Sequence, residues 1–182
     1  MWRGNKGFTL IEIVIVIVIM SVLGIFGYQF LATSVHTYSM MEKQKSLYDE
    51  AAMAMERISR ELRDAESITT PGAGGSGSTL TFTKSHGTPE DTETNITFQL
   101  SSGTLQRDGS GDPVNLAEKV SAFTVSRGSS PYENETTIVL TLSESTGESV
   151  TLRTKICPKN LPYPDPPAGR NYGGDWEEDF HQ

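Results

Sequence analysis

The sequence is poor in the residue types that build active sites and staple small domains. It contains a single cysteine, Cys157, which excludes an internal disulfide, so any folded domain is held together by packing. Its three histidines, His36, His86 and His181, are widely separated and do not stand at metal-ligand spacing. No Gly-x-Ser-x-Gly motif occurs, and Cys157 has no suggestive histidine context. We therefore predict a protein that is not an enzyme, with no metal site and no cofactor.

Positive charge is also scarce. Fifteen lysines and arginines stand against 23 aspartates and glutamates, which gives a formal net charge of −8. The lysines are scattered along the chain and form no basic cluster. This distribution argues against nucleic acid as a partner. The lone Cys157 follows a predicted strand and precedes a proline, so we expect it to be a small buried residue in preference to an intermolecular bridge.

What the sequence does contain is a long apolar run near its start. Residues 8–31 form an uninterrupted stretch of 24 residues without proline. As a helix this stretch is about 36 Å long, enough to cross a hydrocarbon core of about 30 Å, so we predict a transmembrane segment. Arg3 and Lys6 precede the run and place its amino end in the cytoplasm and the following domain outside.

One ionisable residue, Glu12, lies inside the apolar run. A lone carboxylate in lipid costs about 3 kcal/mol or more, which indicates a functional residue that has a partner. Because Glu12 lies near one end of the run, its side chain can also extend to the cytoplasmic interface. The side chain of Glu12 can extend to the interface before any assembly step and pair with its partner after it.

The residues around this carboxylate carry a family resemblance. Lys6-Gly7, then Phe8-Thr9-Leu10-Ile11-Glu12, then the apolar tract resemble the prepilin signature of type IV pilins and type II secretion pseudopilins. The resemblance implies that residues 1–7 are a leader and that prepilin peptidase cuts between Gly7 and Phe8. It also implies N-methylation of Phe8, and pairing of Glu12 with the Phe8 amine of a neighbouring subunit. Loss of Arg3 and Lys6 with the leader changes the formal charge from −8 to −10.

An ordinary secretory signal is the main alternative. Residues 32–34, Ala-Thr-Ser, are a loose match to a signal peptidase site. Cleavage there, or retention of the run as a simple anchor, leaves a secreted or membrane-anchored β-rich binding or adhesion domain. The apolar centre of such signals spans about 7–15 residues, however, which is shorter than this run. The prepilin interpretation is therefore preferred.

The helix is predicted to continue well beyond the membrane. The first proline is Pro71, and residues 32–67 form the predicted amphipathic half of the helix. Its apolar stripe recurs at spacings of three and four: Leu47, Ala51, Ala54 or Met55, Ile58, Leu62 and Ala65. Residues 55–65 also resemble minor pilins and the J-type minor pseudopilins, more loosely than the first motif.

The rest of the chain predicts a head of antiparallel strands over residues 68–157. Turns at Ser102-Gly103 and Thr146-Gly147 indicate hairpins, and each strand has one apolar face that the helix stripe can cover. The predicted strands are Leu80–Lys84, Asn95–Leu100, Thr104–Arg107, Ala122–Arg127, Thr137–Ser143 and Val150–Ile156. The predicted fold class is thus α+β and pilin-like, a long amino-terminal helix packed on an antiparallel sheet.

Residues 158–182 are rich in proline and are predicted to be a flexible tail without regular structure. The acidic and aromatic residues 175–180 are either solvated or a docking peptide.

Together the resemblance implies a structural subunit, a minor pilin or minor pseudopilin of a pilus or secretion filament. It implies a single-pass protein of the inner (cytoplasmic) membrane that later enters the filament. The implied partners are other pilin or pseudopilin subunits, prepilin peptidase, the inner-membrane assembly platform and, before assembly, membrane lipid. The choice between pilus and secretion system, and between tip and shaft, stays open at this stage.

Overall fold

A computed structural model describes residues 7–87, 91–109 and 111–161. Residues 1–6 of the predicted leader and 162–182 of the predicted tail lie outside the described residues. The chain divides into two compact units, Met1–Lys43 and Gln44–Gln182. We call them the anchor unit and the head unit.

The longest element is helix α1, Leu10–Arg63, which contributes to both units. In the anchor unit, every described residue from Gly7 to Glu42 is exposed. The helix ends four residues before the predicted limit of Ser67, because the chain turns at Asp64 and enters a strand at Ala65. Although β-branched residues alternate within the apolar run, the run is helical, as its length and lack of proline predict.

In the head unit, α1 buries the stripe that its sequence predicts. The buried apolar side chains of α1 recur at spacings of three and four and therefore lie on one face of the helix. This face lies against the sheets, and the opposite face is solvated. The buried apolar residues on α1 are Leu47, Ala51, Ala54, Met55, Ile58 and Leu62. Ala65, the last member of the predicted stripe, is also buried but belongs to the first strand.

Nine strands of the described ranges form two antiparallel sheets. The five-stranded sheet has the order β1 (Ala65–Thr70), β3 (Thr79–Lys84), β4 (Asn95–Ser101), β5 (Thr104–Asp108) and β6 (Val114–Ala117). The four-stranded sheet has the order β2 (Ser76–Gly77), β7 (Val120–Arg127), β8 (Thr136–Ser143) and β9 (Ser149–Ile156). The inner faces of both sheets and the α1 stripe form one apolar core, which includes Phe82, Phe98, Phe123, Ile138 and Leu140.

The six predicted strands correspond to β3, β4, β5, β7, β8 and β9. The turn between β4 and β5 has positive φ at both Ser102 and Gly103, as a tight hairpin requires, and Gly147 has positive φ between β8 and β9. The prediction missed β1, β2 and β6, and it expected one sheet where the structure has two. Cys157 was also expected to be buried, but it is exposed. It lies just beyond the sheet end at Ile156, where packing does not cover it.

One buried polar atom has no partner in the described structure. The hydroxyl of Thr136 is fully buried at the start of β8 and makes no hydrogen bond. Replacement with valine keeps the shape and removes the unsatisfied group. We expect Thr136→Val to increase the free energy of unfolding by about 1 kcal/mol. Denaturant unfolding of the full chain in detergent measures the change, with the exposed Thr151→Val as control; a less stable Thr136→Val chain contradicts the expectation.

An ion-pair network joins α1 to the five-stranded sheet. Arg107 on β5 donates from Nε to both carboxylate oxygens of Glu61 on α1, at 3.0 and 2.9 Å. The Glu61 side chain is 9% exposed and that of Arg107 is 8% exposed. Arg57 donates to Glu61 Oε1 at 2.9 Å, and Arg107 also contacts Asp91, which pairs with Lys84 at 3.3 Å.

Asp91 makes the stability of this network sensitive to acid. Burial by itself raises the pKa of the Asp91 carboxyl. The hydrogen bond from the Glu93 backbone N–H and the charges of Arg107 and Lys84 outweigh it, and the pKa lies below its ordinary value of 3.8. A lowered pKa contributes stability that is present above the ordinary value and is lost as the pH falls through the folded value.

We therefore expect Asp91→Asn to lower the free energy of unfolding at neutral pH and to flatten its decline below about pH 4. Urea titrations of the full chain in detergent across this range measure both effects. Asp49→Asn, at an exposed position on α1, serves as control. An Asp91→Asn chain that loses stability in acid as steeply as the parent contradicts this assignment.

Candidate functional site: the amino-terminal segment

The predicted cleavage site lies in a short irregular segment ahead of α1. Gly7, Phe8 and Thr9 are outside the helix, and all three residues are exposed. The backbone groups of Gly7 and Phe8 are therefore not committed to the α1 hydrogen-bond ladder, in which each N–H bonds the carbonyl four residues earlier. A peptide bond in this state can be bound by a peptidase in extended form without first unwinding a helix.

Thr9 is the residue that starts the helix. The Glu12 backbone N–H donates to the Thr9 carbonyl at 3.1 Å and to Thr9 Oγ1 at 3.3 Å, and the Ile13 N–H donates to the Thr9 carbonyl at 3.3 Å. Thr9 therefore acts as the N-cap and satisfies donors that the first turn leaves unpaired. Thr9-x-x-Glu12 also matches the sequence of a capping box. This signal is present in the sequence, but the capping role was not among the predictions.

This arrangement places Glu12 in the first turn of α1, where a negative charge is stabilised by the helix dipole. The residue is exposed, and no described side chain forms an ion pair with it. The backbone of Glu12 is thus held by the cap one turn from Phe8, and its carboxylate is exposed. Its geometry leaves it accessible to a cation from another molecule.

We expect Thr9→Val to weaken the first turn by about 1 kcal/mol, because the variant loses the side-chain acceptor for the Glu12 N–H. Hydrogen exchange of the Glu12 amide in detergent micelles measures this effect as faster exchange confined to the start of α1. Thr9→Ser, which keeps the hydroxyl, is the matched control. Equal exchange in the valine and serine variants contradicts the capping role.

Beyond Glu12 the helix presents apolar side chains on all sides. Among the described residues, α1 is the one helix long and apolar enough to cross a membrane, by length and composition. The exposed large apolar residues include Ile11, Ile13, Val14, Ile15, Val16, Ile17, Val18, Ile19, Met20, Leu23, Ile25, Phe26, Phe30 and Leu31. We call the exposed surface of residues 8–41 the apolar helix surface. A surface of this extent in water marks a membrane or protein contact.

Three hydroxyl side chains on this surface, those of Ser21, Ser34 and Thr37, donate within the helix itself. Ser21 Oγ donates to the Ile17 carbonyl at 2.7 Å, and Ser34 Oγ donates to the Phe30 carbonyl at 2.8 Å. Such bonds to the carbonyl four residues earlier remove the need for a water partner, which suits a helix in lipid or packed against other helices. Sequence reasoning did not identify this role for the hydroxyls.

In the described ranges, no group of three or more His, Cys, Asp or Glu side chains is placed to hold a metal ion. Gly7, Phe8 and Glu12 are brought together by sequence proximity and by the cap, in one exposed segment. The arrangement offers a scissile bond, a residue whose amine cleavage creates, and a carboxylate.

Comparison with known protein families identifies the amino-terminal segment. A family model described as the prokaryotic N-terminal methylation motif matches residues 2–28. No curated protein and no solved structure matches the chain. The matched residues include the predicted cleavage site, the capped start of α1 and most of the apolar run. The chain therefore carries the prepilin signal of type IV pilin-like proteins at the start of a pilin-like α+β architecture.

Proposed function

We propose that this chain is a structural filament subunit, a minor pilin or minor pseudopilin of a type IV pilus or type II secretion filament. Prepilin peptidase cuts between Gly7 and Phe8, and the new amino group of Phe8 is methylated. The subunit then assembles through α1. The observation that carries the proposal is the methylation motif at residues 2–28, which is continuous with the exposed apolar helix surface.

Before assembly, the subunit is stored in the inner membrane. The apolar run fills the hydrocarbon core, and Arg3 and Lys6 keep the leader in the cytoplasm, where the peptidase acts. The head unit then lies outside. Lipid covers the apolar helix surface in this state, and Glu12 lies close enough to the cytoplasmic interface to reach water.

During assembly, the helices of neighbouring subunits replace lipid. Transfer from lipid to other apolar helices brings little hydrophobic gain, so close packing and specific polar contacts decide the arrangement. A Cβ atom added at Gly24 or Gly27 would meet nothing within 4 Å, so both positions face open space that a neighbouring helix can approach. The Glu12 carboxylate pairs with the methylated Phe8 amine of the next subunit, since each charge needs a partner in a dry bundle. Repetition of this head-to-tail contact, driven by the inner-membrane assembly platform, builds an open fibre.

Two features support a minor subunit over a major one. Residues 55–65 resemble minor pilins and J-type minor pseudopilins, and the mature chain is strongly acidic, with a formal charge of −10 once Arg3 and Lys6 are removed. A set of like charges repeated along a whole fibre repels itself, and this cost is smaller for a subunit present in few copies.

The intact mass of the mature protein from its host tests the proposal. We expect a chain that begins at Phe8 and carries one additional methyl group. A chain that starts near Val35 identifies an ordinary secretory signal, and a chain that retains residues 1–7 identifies a simple anchor. Either result contradicts the proposed function.

A pair of leader variants sharpens the same experiment. Gly7→Val places a β-branched side chain at the scissile bond and is expected to block cleavage, because glycine allows the closest approach of a binding protein to the backbone. Gly4→Val makes the same change three residues earlier and is expected to be processed normally. Equal processing of both variants places the cleavage site elsewhere.

A further inference from the structure

The four-stranded sheet ends in a long strand with an open edge. β9 pairs with β8 along its whole length, from the pair of Ser149 with Ser143 to the pair of Ile156 with Thr136. Among the described strands, none lies on the other side of β9. The strand has eight residues and no proline, so its outward N–H and C=O groups are available to a further strand.

The two faces of β9 differ in chemistry. The exposed residues are Ser149, Thr151, Arg153 and Lys155, and they share one face because strand side chains alternate. Val150 and Leu152 lie on the other face, where they are partly exposed and pack against the core. Within the described residues Arg153 forms no ion pair, while Lys155 contacts Glu135. An added strand that suits this edge is therefore acidic on one face and apolar on the other.

The remainder of the chain leaves β9 at Ile156 and turns toward the end of α1 and Ser85, to which the Asn160 side chain donates. After β9, the Lys159 N–H donates to the Arg63 carbonyl at 2.9 Å and Leu161 is buried. Prolines at 162, 164, 166 and 167 follow, and none occurs in residues 168–182. In the sequence of residues 175–180, Asp175, Glu177 and Asp179 occupy alternate positions, and the intervening set is Trp176, Glu178 and Phe180.

We propose that residues 175–180 of the same chain bind to the open edge of β9 as an added antiparallel strand. The acidic set lies beside Arg153 and Lys155, and the two aromatic residues extend the apolar face beyond Val150 and Leu152. The period of two in the segment matches the basic face of the edge, and on the other face the two aromatic residues flank Glu178. The direction is antiparallel because the segment departs from the end of β9 and returns along it.

Chain length favours the protein's own segment over that of a second copy. Thirteen residues separate Leu161 from Asp175. Fully extended they span about 45 Å, which exceeds the roughly 26 Å length of an eight-residue strand. A tether of this length holds the segment near β9 at millimolar effective concentration. A free second copy at micromolar concentration competes poorly with it.

Tryptophan fluorescence tests the proposal, since the chain has only Trp2 and Trp176. In full-length Trp2→Phe protein in detergent, Trp176 is the sole reporter. We expect blue-shifted emission and reduced quenching by acrylamide. Charge reversal at the edge, Arg153→Glu with Lys155→Glu, is expected to restore the emission and quenching of a solvated indole. Adding Glu177→Lys and Asp179→Lys to that variant is expected to recover the shielded state.

The matched control is Lys45→Glu with Arg60→Glu, which changes the charge equally at exposed positions on α1 and is expected to leave Trp176 shielded. A Trp176 that is solvated in the parent protein overturns the proposal. So does a shielded Trp176 that ignores reversal at β9. Shielding that depends on protein concentration shows that the segment binds a second copy, and it overturns binding within the chain.

Hydrogen exchange gives a second measurement that does not depend on the charge variants. In the full chain, the outward amides of β9 are expected to exchange about tenfold more slowly than in a chain that ends at Gly174, an opening free energy of about 1.4 kcal/mol. The amides of β8 are expected to be unchanged. Equal exchange of β9 in the two chains contradicts strand addition, and Arg153 and Lys155 then serve only to keep the edge from pairing.

Discussion

Glu12→Gln is expected to leave the protein in the membrane and to remove it from the filament. Glutamine is nearly isosteric and cannot neutralise the Phe8 amine of the neighbouring subunit in the proposed pairing. Breaking a buried pair by removing one charge costs about 3–5 kcal/mol, which corresponds to a loss of incorporation of more than about 100-fold. The cap at Thr9 uses the backbone of Glu12, so the start of α1 survives the change.

Quantification of the subunit in sheared filaments and in the membrane fraction measures this effect. Glu42→Gln, at an exposed position on the same helix beyond the apolar run, is the matched control and is expected to assemble normally. Normal co-assembly of Glu12→Gln would falsify the pairing role. Loss of both variants from the membrane fraction indicates instead that these changes act on insertion or stability.

The second large effect concerns the buried ion pair between Arg107 of the five-stranded sheet and Glu61 of α1. Arg107→Leu is expected to lower the free energy of unfolding by about 3 kcal/mol, because it removes the buried cation of Glu61 and leaves that carboxylate with the partly exposed Arg57. This is a substantial part of the 5–15 kcal/mol that typically holds a domain together. Urea unfolding of the full chain in detergent, followed by near-ultraviolet circular dichroism, measures the loss.

The double variant Glu61→Leu with Arg107→Leu tests the cause. Since apolar residues of similar volume replace buried ion pairs at little cost, the double variant is expected to be more stable than Arg107→Leu alone. Lys119→Met is the control, because the Lys119–Glu144 pair is far more exposed and contributes little. If the double variant is as unstable as the sum of the two single changes, the pair is not the source of the loss.

The sequence allowed the prediction of elements whose periodicity is long and uniform. The α1 stripe from Leu47 to Leu62 and the alternating strands β8 and β9 were placed to within about two residues, the usual uncertainty of boundaries. The strands that were missed have weak local patterns. β2 has two residues and β6 has four. β1 directly follows α1, and its residues Glu66 and Ser67 were predicted to continue the helix. Their pairing depends on partners distant in sequence.

For the amino-terminal segment, the sequence supplied the motif but not its local structure. Gly7, Phe8 and Glu12 were selected by resemblance, and the roles given to them stay predictions. The capping role of Thr9 was readable from Thr9-x-x-Glu12. The network of Glu61, Arg107, Asp91 and Lys84 was not predictable, because its members are separated by up to 46 positions and meet only in the fold.

The placement of β2 has a consequence for the order in which the head unit can fold. Ser76 and Gly77 precede β3 in the chain, yet they pair with Ser126 and Val125 of β7 in the other sheet. If the domain folds progressively from its amino-terminal side, the connection from Pro71 to Ser78 has no strand to pair with until β7 is available. The strands of the five-stranded sheet all precede β7 in the chain, so that sheet can pair first and the pairing of β2 with β7 follows.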